Sequence, residues 1–87
     1  MEITITIHPR VHQKHMDIED EDALIAVRQA IRTRPRMTEP RQWAGIGMDS
    51  NGRVLEFVAV ELSEDEWLVF HVAHVTGKMR QELGFGR

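Results

Sequence analysis

The chain contains no cysteine, only three prolines, and aromatic side chains at just 6% of its 87 residues. Without cysteine there is no disulfide framework, thiolate nucleophile or zinc–sulfur site, which suits a reducing cytoplasm. No stretch approaches the roughly 18 consecutive apolar residues that a membrane-spanning helix requires. The opening Met1-Glu2-Ile3-Thr4-Ile5-Thr6-Ile7 alternates in polarity, so it reads as a strand and not as a signal peptide. An excess of positive charge is also missing. The net charge of −3 argues against a dedicated nucleic-acid binder held by bulk electrostatics. What remains is one small domain with a modest core, which a partner would help to cover.

The charge that is present is segregated. Glu19 to Asp22 form one acidic block, and Glu61, Glu64, Asp65 and Glu66 form another. Between them, residues 28–41 carry Arg28, Arg32, Arg34, Arg36 and Arg41 against a single acid, Glu39. A local basic surface is therefore compatible with an acidic protein.

Periodicity sets the order of elements. Ile3, Ile5 and Ile7 alternate with polar residues as one half-buried strand, and Pro9 opens a short helix that ends near Asp17. Asp17 is a candidate N-cap for a longer helix over 19–33, whose stripe is Ala23, Leu24, Val27, Ala30 and Ile31. Pro35 would stop that helix, leaving 34–41 as a solvated loop. A three-strand meander follows over 42–48, 53–62 and 67–75. Gly45 and Gly47 mark a close backbone approach or a bulge, Asp49-Ser50-Asn51-Gly52 a tight hairpin turn, and Ser63 to Glu66 a second turn. Thr76 caps a last helix ending at Gly84 and Gly86. The fold class expected is α+β: a mostly antiparallel sheet with helices gathered on one face and a C-terminal helix.

Five histidines raise the question of metal. His8, His12 and His15 have spacings that a helix face could use, but a complete ligand set is missing, so no metal and no cofactor are expected. His71 and His74 are an odd number of residues apart on one strand, which points them to opposite faces. That alternation groups His74 with Leu68, Phe70 and Val72, and His71 with Trp67, Val69 and Ala73. Either can be a hydrogen-bonded core histidine or a proton-transfer group. Lys14-His15 reads as a solvated helix end, Arg53 as a strand-start cation able to reach over the sheet, and Trp43 and Trp67 as core or interface anchors. No nucleophile elbow and no phosphate loop occurs.

Four short words, in order, resemble the BrnT-type toxins of the RelE-like ribonuclease group in bacterial type II toxin–antitoxin systems. They are Lys14-His15-Met16, Glu19-Asp20-Glu21-Asp22-Ala23, the hairpin from Gly47 through Arg53-Val54-Leu55 to Val58, and Ala73-His74 with Lys78 and Glu82. The likeness spans nearly the whole chain. Met16 stands where the family has glycine, His74 where it has a strand-end arginine, and the chain is acidic where the family tends to be basic.

The resemblance implies a RelE-like fold, a cytoplasmic location, and metal-independent RNA cleavage neutralised by a cognate antitoxin that itself binds DNA. On that implication Arg53 and Lys14 hold the phosphate, and His74 or His15 serve as base and acid. His71 substitutes if the opposite sheet face is the cleft, while Lys78 and Arg80 help bind RNA. The rival expectation is a non-catalytic binding or dimerising module, a homodimer, on the same scaffold. The negative charge and the missing arginine favour that rival.

Overall fold

A computed structural model describes residues 2–85. Five strands form one sheet in the order β1-β5-β4-β3-β2. They are β1 (Thr4–Ile7), β2 (Ala30–Arg36), β3 (Gln42–Met48), β4 (Val54–Ser63) and β5 (Glu66–His74), with helices α1 (Arg10–Lys14), α2 (Asp20–Arg28) and α3 (Gly77–Glu82). All neighbouring strands run antiparallel except β1, which lies parallel to β5. The architecture is α+β, as the alternation of strand and helix patterns requires. Among the described residues no helix is long and apolar enough to cross a membrane.

The helices divide between the two faces of the sheet. Val11 of α1, Ile18, and Ala23, Ala26 and Val27 of α2 pack on Leu55, Phe57, Ala59, Val69 and Val72. On the other face, Met79 and Leu83 at α3 pack on Ala44, Ile46 and Val58. This corrects the expectation that helices share one face: β4 is apolar on both sides, and each side needs its own cover. The glycines of β3 allow two close approaches, Gly47 to α2 and Gly45 to Phe57 of β4. A Cβ on Gly47 would collide with the backbone carbonyl of Ala26, and one on Gly45 with the Phe57 ring.

The helix expected over 19–33 ends at Arg28, strand β2 takes residues 30–36, and the loop expected over 34–41 is confined to 37–41. Two properties explain the difference. Arg32, Arg34 and Arg36 alternate with Thr33 and Pro35, a period of two that fits a pleated strand. As an edge strand, β2 also tolerates Pro35, whose missing N–H would break a central ladder. The α2 N-cap is Glu19 and not Asp17; its N–H donates to the Asp22 carboxylate at 3.0 Å. Pro9 is likewise the N-cap of α1 and not its first helical residue.

Other local expectations hold. The Asp49 side chain accepts from the N–H groups of Asn51 and Arg53, both at 2.9 Å, and Gly52 adopts φ +81° to close the turn. Thr76 accepts from the Met79 N–H as the α3 cap, and Gly84 ends the helix at φ +81°. The second expected stop, Gly86, lies outside the described residues.

Gly47→Ala is expected to lower unfolding free energy by about 1–3 kcal/mol, the cost of forcing atoms into a filled space. Gly77→Ala, whose Cβ meets nothing within 4 Å, should be neutral or stabilise by up to about 1 kcal/mol. Urea denaturation of the two variants checks the contrast.

Candidate functional site

A bulge in β5 decides where the histidines go. The pairing shifts between Val58–His71 and Ala59–Val69, so Phe70 is the extra residue. Phe70 and His71 therefore both lie on the α3 face, whereas Val72 and His74 lie on the α2 face with Phe57 and Leu55. The two histidines do face opposite sides, as expected. The strict alternation that grouped His74 with Phe70, and His71 with Val69, is broken by the bulge.

On the α2 face, Arg53 is surrounded by acid. Its Nε donates to Asp49 at 2.7 Å, one terminal nitrogen to Asp22 at 3.1 Å, and the other to the Asp17 carbonyl at 3.0 Å and carboxylate at 3.5 Å. His74 Nε2 lies 2.7 Å from the same Asp17 carboxylate. These contacts join the β3–β4 hairpin, the α1–α2 connection and the first turn of α2. Burial alone would push the Asp49 carboxyl up, but donation from the Arg53 side chain and from the Arg53 and Asn51 backbones holds it below its ordinary value. Asp17 is lowered too, chiefly by the His74 hydrogen bond, with Arg53 adding to it. The Arg53 guanidinium thus has its donors committed to the fold. Arg53 and His74 are joined through Asp17 in one acidic clamp, with the His74 and Asp17 side chains more than half exposed.

The α3 face carries a different arrangement. A cleft of about 300 Å³ is lined by Arg10, Arg36, Glu56, His71, Thr76, Lys78 and Glu82, with Val58, Phe70 and Met79 as its apolar wall. Glu56 is 6% exposed, one of two buried ionisable residues among those described. One of its oxygens accepts from the Thr76 N–H at 2.8 Å and the Thr76 hydroxyl at 2.7 Å. The other lies 2.8 Å from His71 Nε2. The Thr76 N–H and hydroxyl and the His71 ring all point at the two Glu56 oxygens, and this network assigns the neutral ring's proton to Nε2. His71 Nδ1 then presents its lone pair, and no described hydrogen bond occupies it.

Three cations ring this pair. Arg10 and Lys78 are exposed and have no ion-pair partner among the described residues. Arg36 forms a two-pronged pair with Glu82, at 2.7 Å from Nε and 2.9 Å from a terminal nitrogen. That pairing, foremost its hydrogen bonds, holds the Glu82 carboxyl below its usual range. Arg32 and Arg34 lie on the same side of β2 and donate to the Leu83 and Glu82 carbonyls at 2.9 and 2.8 Å. The arginine run expected to be a mobile loop is therefore a row that satisfies the free carbonyls at the end of α3.

The seven candidates fall into separate places. His71 and Lys78 line the cleft; Arg80 lines a neighbouring apolar hollow with Ile31, Ile46, Val54, Val75 and Phe85. Arg53 and His74 belong to the acidic clamp. Lys14 and His15 sit at the end of α1, hydrogen-bonded to neither cluster. His12 and His8 have local roles: His12 Nδ1 lies 3.0 Å from the Ile18 carbonyl, and His8 Nδ1 accepts from the Arg10 N–H. The sequence marks Thr76 only as a helix cap and gives Glu56 and Arg10 no place in the site. Glu56 alone left a signal there, as a lone carboxylate inside the run Val54-Leu55-Glu56-Phe57-Val58. Trp43 and Trp67 stack at 5.4 Å, and Trp43 Nε1 donates to Glu61, so both serve as anchors. No family model, curated protein or solved structure matches the chain.

Arg53→Met leaves buried Asp49 without its cation and is expected to lower the urea midpoint at pH 7. Because Asp17 and Asp49 titrate below their unfolded values, their stabilisation is complete above the unfolded carboxylate range. It is lost as pH falls through about 4 and below. The gap between wild type and variant should therefore shrink between pH 7 and pH 3. A gap of constant size contradicts the clamp.

Proposed function

We propose that the chain is a metal-independent RNA endonuclease, the RelE-like toxin of a cytoplasmic toxin–antitoxin pair, with its reaction centre at His71. One observation carries the reading. A histidine whose Nε2 is paired with a buried carboxylate lines a cleft that also bears two cations without an ion-pair partner among the described residues. Proton acceptor, orienting carboxylate and charge stabilisers are the parts that phosphodiester cleavage needs in one place.

In the reaction, His71 Nδ1 takes the proton of a ribose 2′-hydroxyl. The 2′-oxygen attacks phosphorus as the bond to the 5′-oxygen breaks, leaving a 2′,3′-cyclic phosphate. Lys78 supplies the proton that the departing 5′-oxygen takes up, and Arg10 stabilises charge on the non-bridging oxygens. Glu56 orients the imidazole and stabilises the imidazolium, while Thr76 orients Glu56. The site expected at Arg53 and His74 moves to the opposite face of the sheet, the alternative already attached to His71.

The rival reading, a binding module that holds an anionic partner without cleaving it, draws on the net charge of −3 and on the commitment of Arg32, Arg34 and Arg53 to internal acceptors. An RNA cleavage assay with chelator present separates the two. The wild type is expected to cut, His71→Ala to lose about 100-fold or more, and His74→Ala to remain within a few-fold. Cleavage that survives His71→Ala and fails in His74→Ala contradicts the assignment; no cleavage by the wild type selects the binding module.

A further inference from the structure

The pairing of Arg36 is unlike that of its neighbours on β2. Arg32 and Arg34 hold backbone carbonyls, which cannot leave without moving α3. Arg36 instead presents Nε and a terminal nitrogen side by side to the two oxygens of a side chain, Glu82. That fork is the geometry in which arginine takes phosphate as readily as carboxylate. The pair is open to water, with Arg36 34% and Glu82 32% exposed, so exchanging one anion for another there is cheap. Glu82 is the last helical residue of α3, and its carbonyl is separately held by Arg34. Its side chain can therefore turn away while the helix stays docked.

We infer that Glu82 is a resident stand-in for an RNA phosphate, masking a phosphate subsite on Arg36 beside the His71 centre. The inference rests on the ribonuclease reading for its ligand and names a second phosphodiester contact along the same strand. With Glu82 in place, three cations of the cleft face two carboxylates. Once its carboxylate leaves, they face Glu56 alone, and Glu56 is already satisfied by Thr76 and His71. An incoming strand thus meets a stronger positive field only after its own phosphate has displaced the mimic. This sets a threshold against weakly bound anions.

The probe is a short uncleavable 2′-O-methyl oligouridylate, titrated at fixed salt against the full chain. Glu82→Gln is expected to bind it about 3- to 10-fold more tightly than wild type, the scale of removing one exposed ion pair and its repulsion. Glu64→Gln, which removes the same charge from an exposed turn, should change affinity less than about twofold. The double variant Glu82→Gln with Arg36→Gln should lose the gain. Glu82→Asp keeps the charge but draws it back by one methylene. It is expected to gain less than Glu82→Gln, and it carries the test if the amide variant loses α3.

No tightening, an equal gain from Glu64→Gln, a gain that persists without Arg36, or no binding by any variant overturns the inference. Tight binding by Glu82→Gln together with undiminished cleavage by His71→Ala overturns the reaction centre and leaves the phosphate subsite standing.

Discussion

A carboxylate buried in a small sheet has to be answered by donors, and the answer given to Glu56 organises half of this molecule. Leaving it unsatisfied would cost several kcal/mol, a large share of the stability of a domain this size. Three hydrogen bonds to two residues meet the need: two from Thr76 and one from His71. Thr76 is also the cap of α3, so satisfying Glu56 fixes where that helix begins and hence how Met79 and Leu83 cover the sheet. The β5 bulge brings His71 to the same face. Core packing, helix placement and imidazole orientation thus share one anion.

The clamp around Arg53 uses the same physics toward another end. There the cation is central and the carboxylates surround it, and each of its three nitrogens donates to an internal acceptor. At the cleft the carboxylate is central and buried, while Arg10 and Lys78 stand around it with their charge unspent. The difference lies in which sign is enclosed. An enclosed cation ties loops together; an enclosed carboxylate beneath an imidazole leaves a basic nitrogen and a positive rim facing outward. The second arrangement has the means to act on a phosphate.

Much of the fold was legible from residue pattern. The alternating isoleucines of β1, the Asn51-Gly52 turn and the Thr76 cap each follow from a local rule that tertiary contacts left undisturbed. β2 was misread because Ala30 and Ile31 continue the spacing of the α2 stripe, so helical periodicity runs two residues into a strand. The competing alternation of Arg32, Arg34 and Arg36 with Thr33 and Pro35 was visible, but an edge position that excuses a proline cannot be known before the sheet is assembled.

The site was less legible than the fold. Arg53 looked available because its three acidic partners are 4, 31 and 36 residues away and converge only in space. The bulge at Phe70 has no mark in a run of apolar residues, so the companions of His71 could not be assigned. Glu56 was the visible anomaly, a charge where the strand is apolar on both sides. That anomaly now carries the central claim, which is that ionised Glu56 selects the ring tautomer of His71. Nitrogen-15 NMR of the histidine rings, at a pH where His71 is neutral, tests it directly. The account predicts a proton on Nε2 and a lone pair on Nδ1, with the preference weakened in Glu56→Gln. A proton on Nδ1 in the wild type, or a tautomer unchanged by Glu56→Gln, would contradict it.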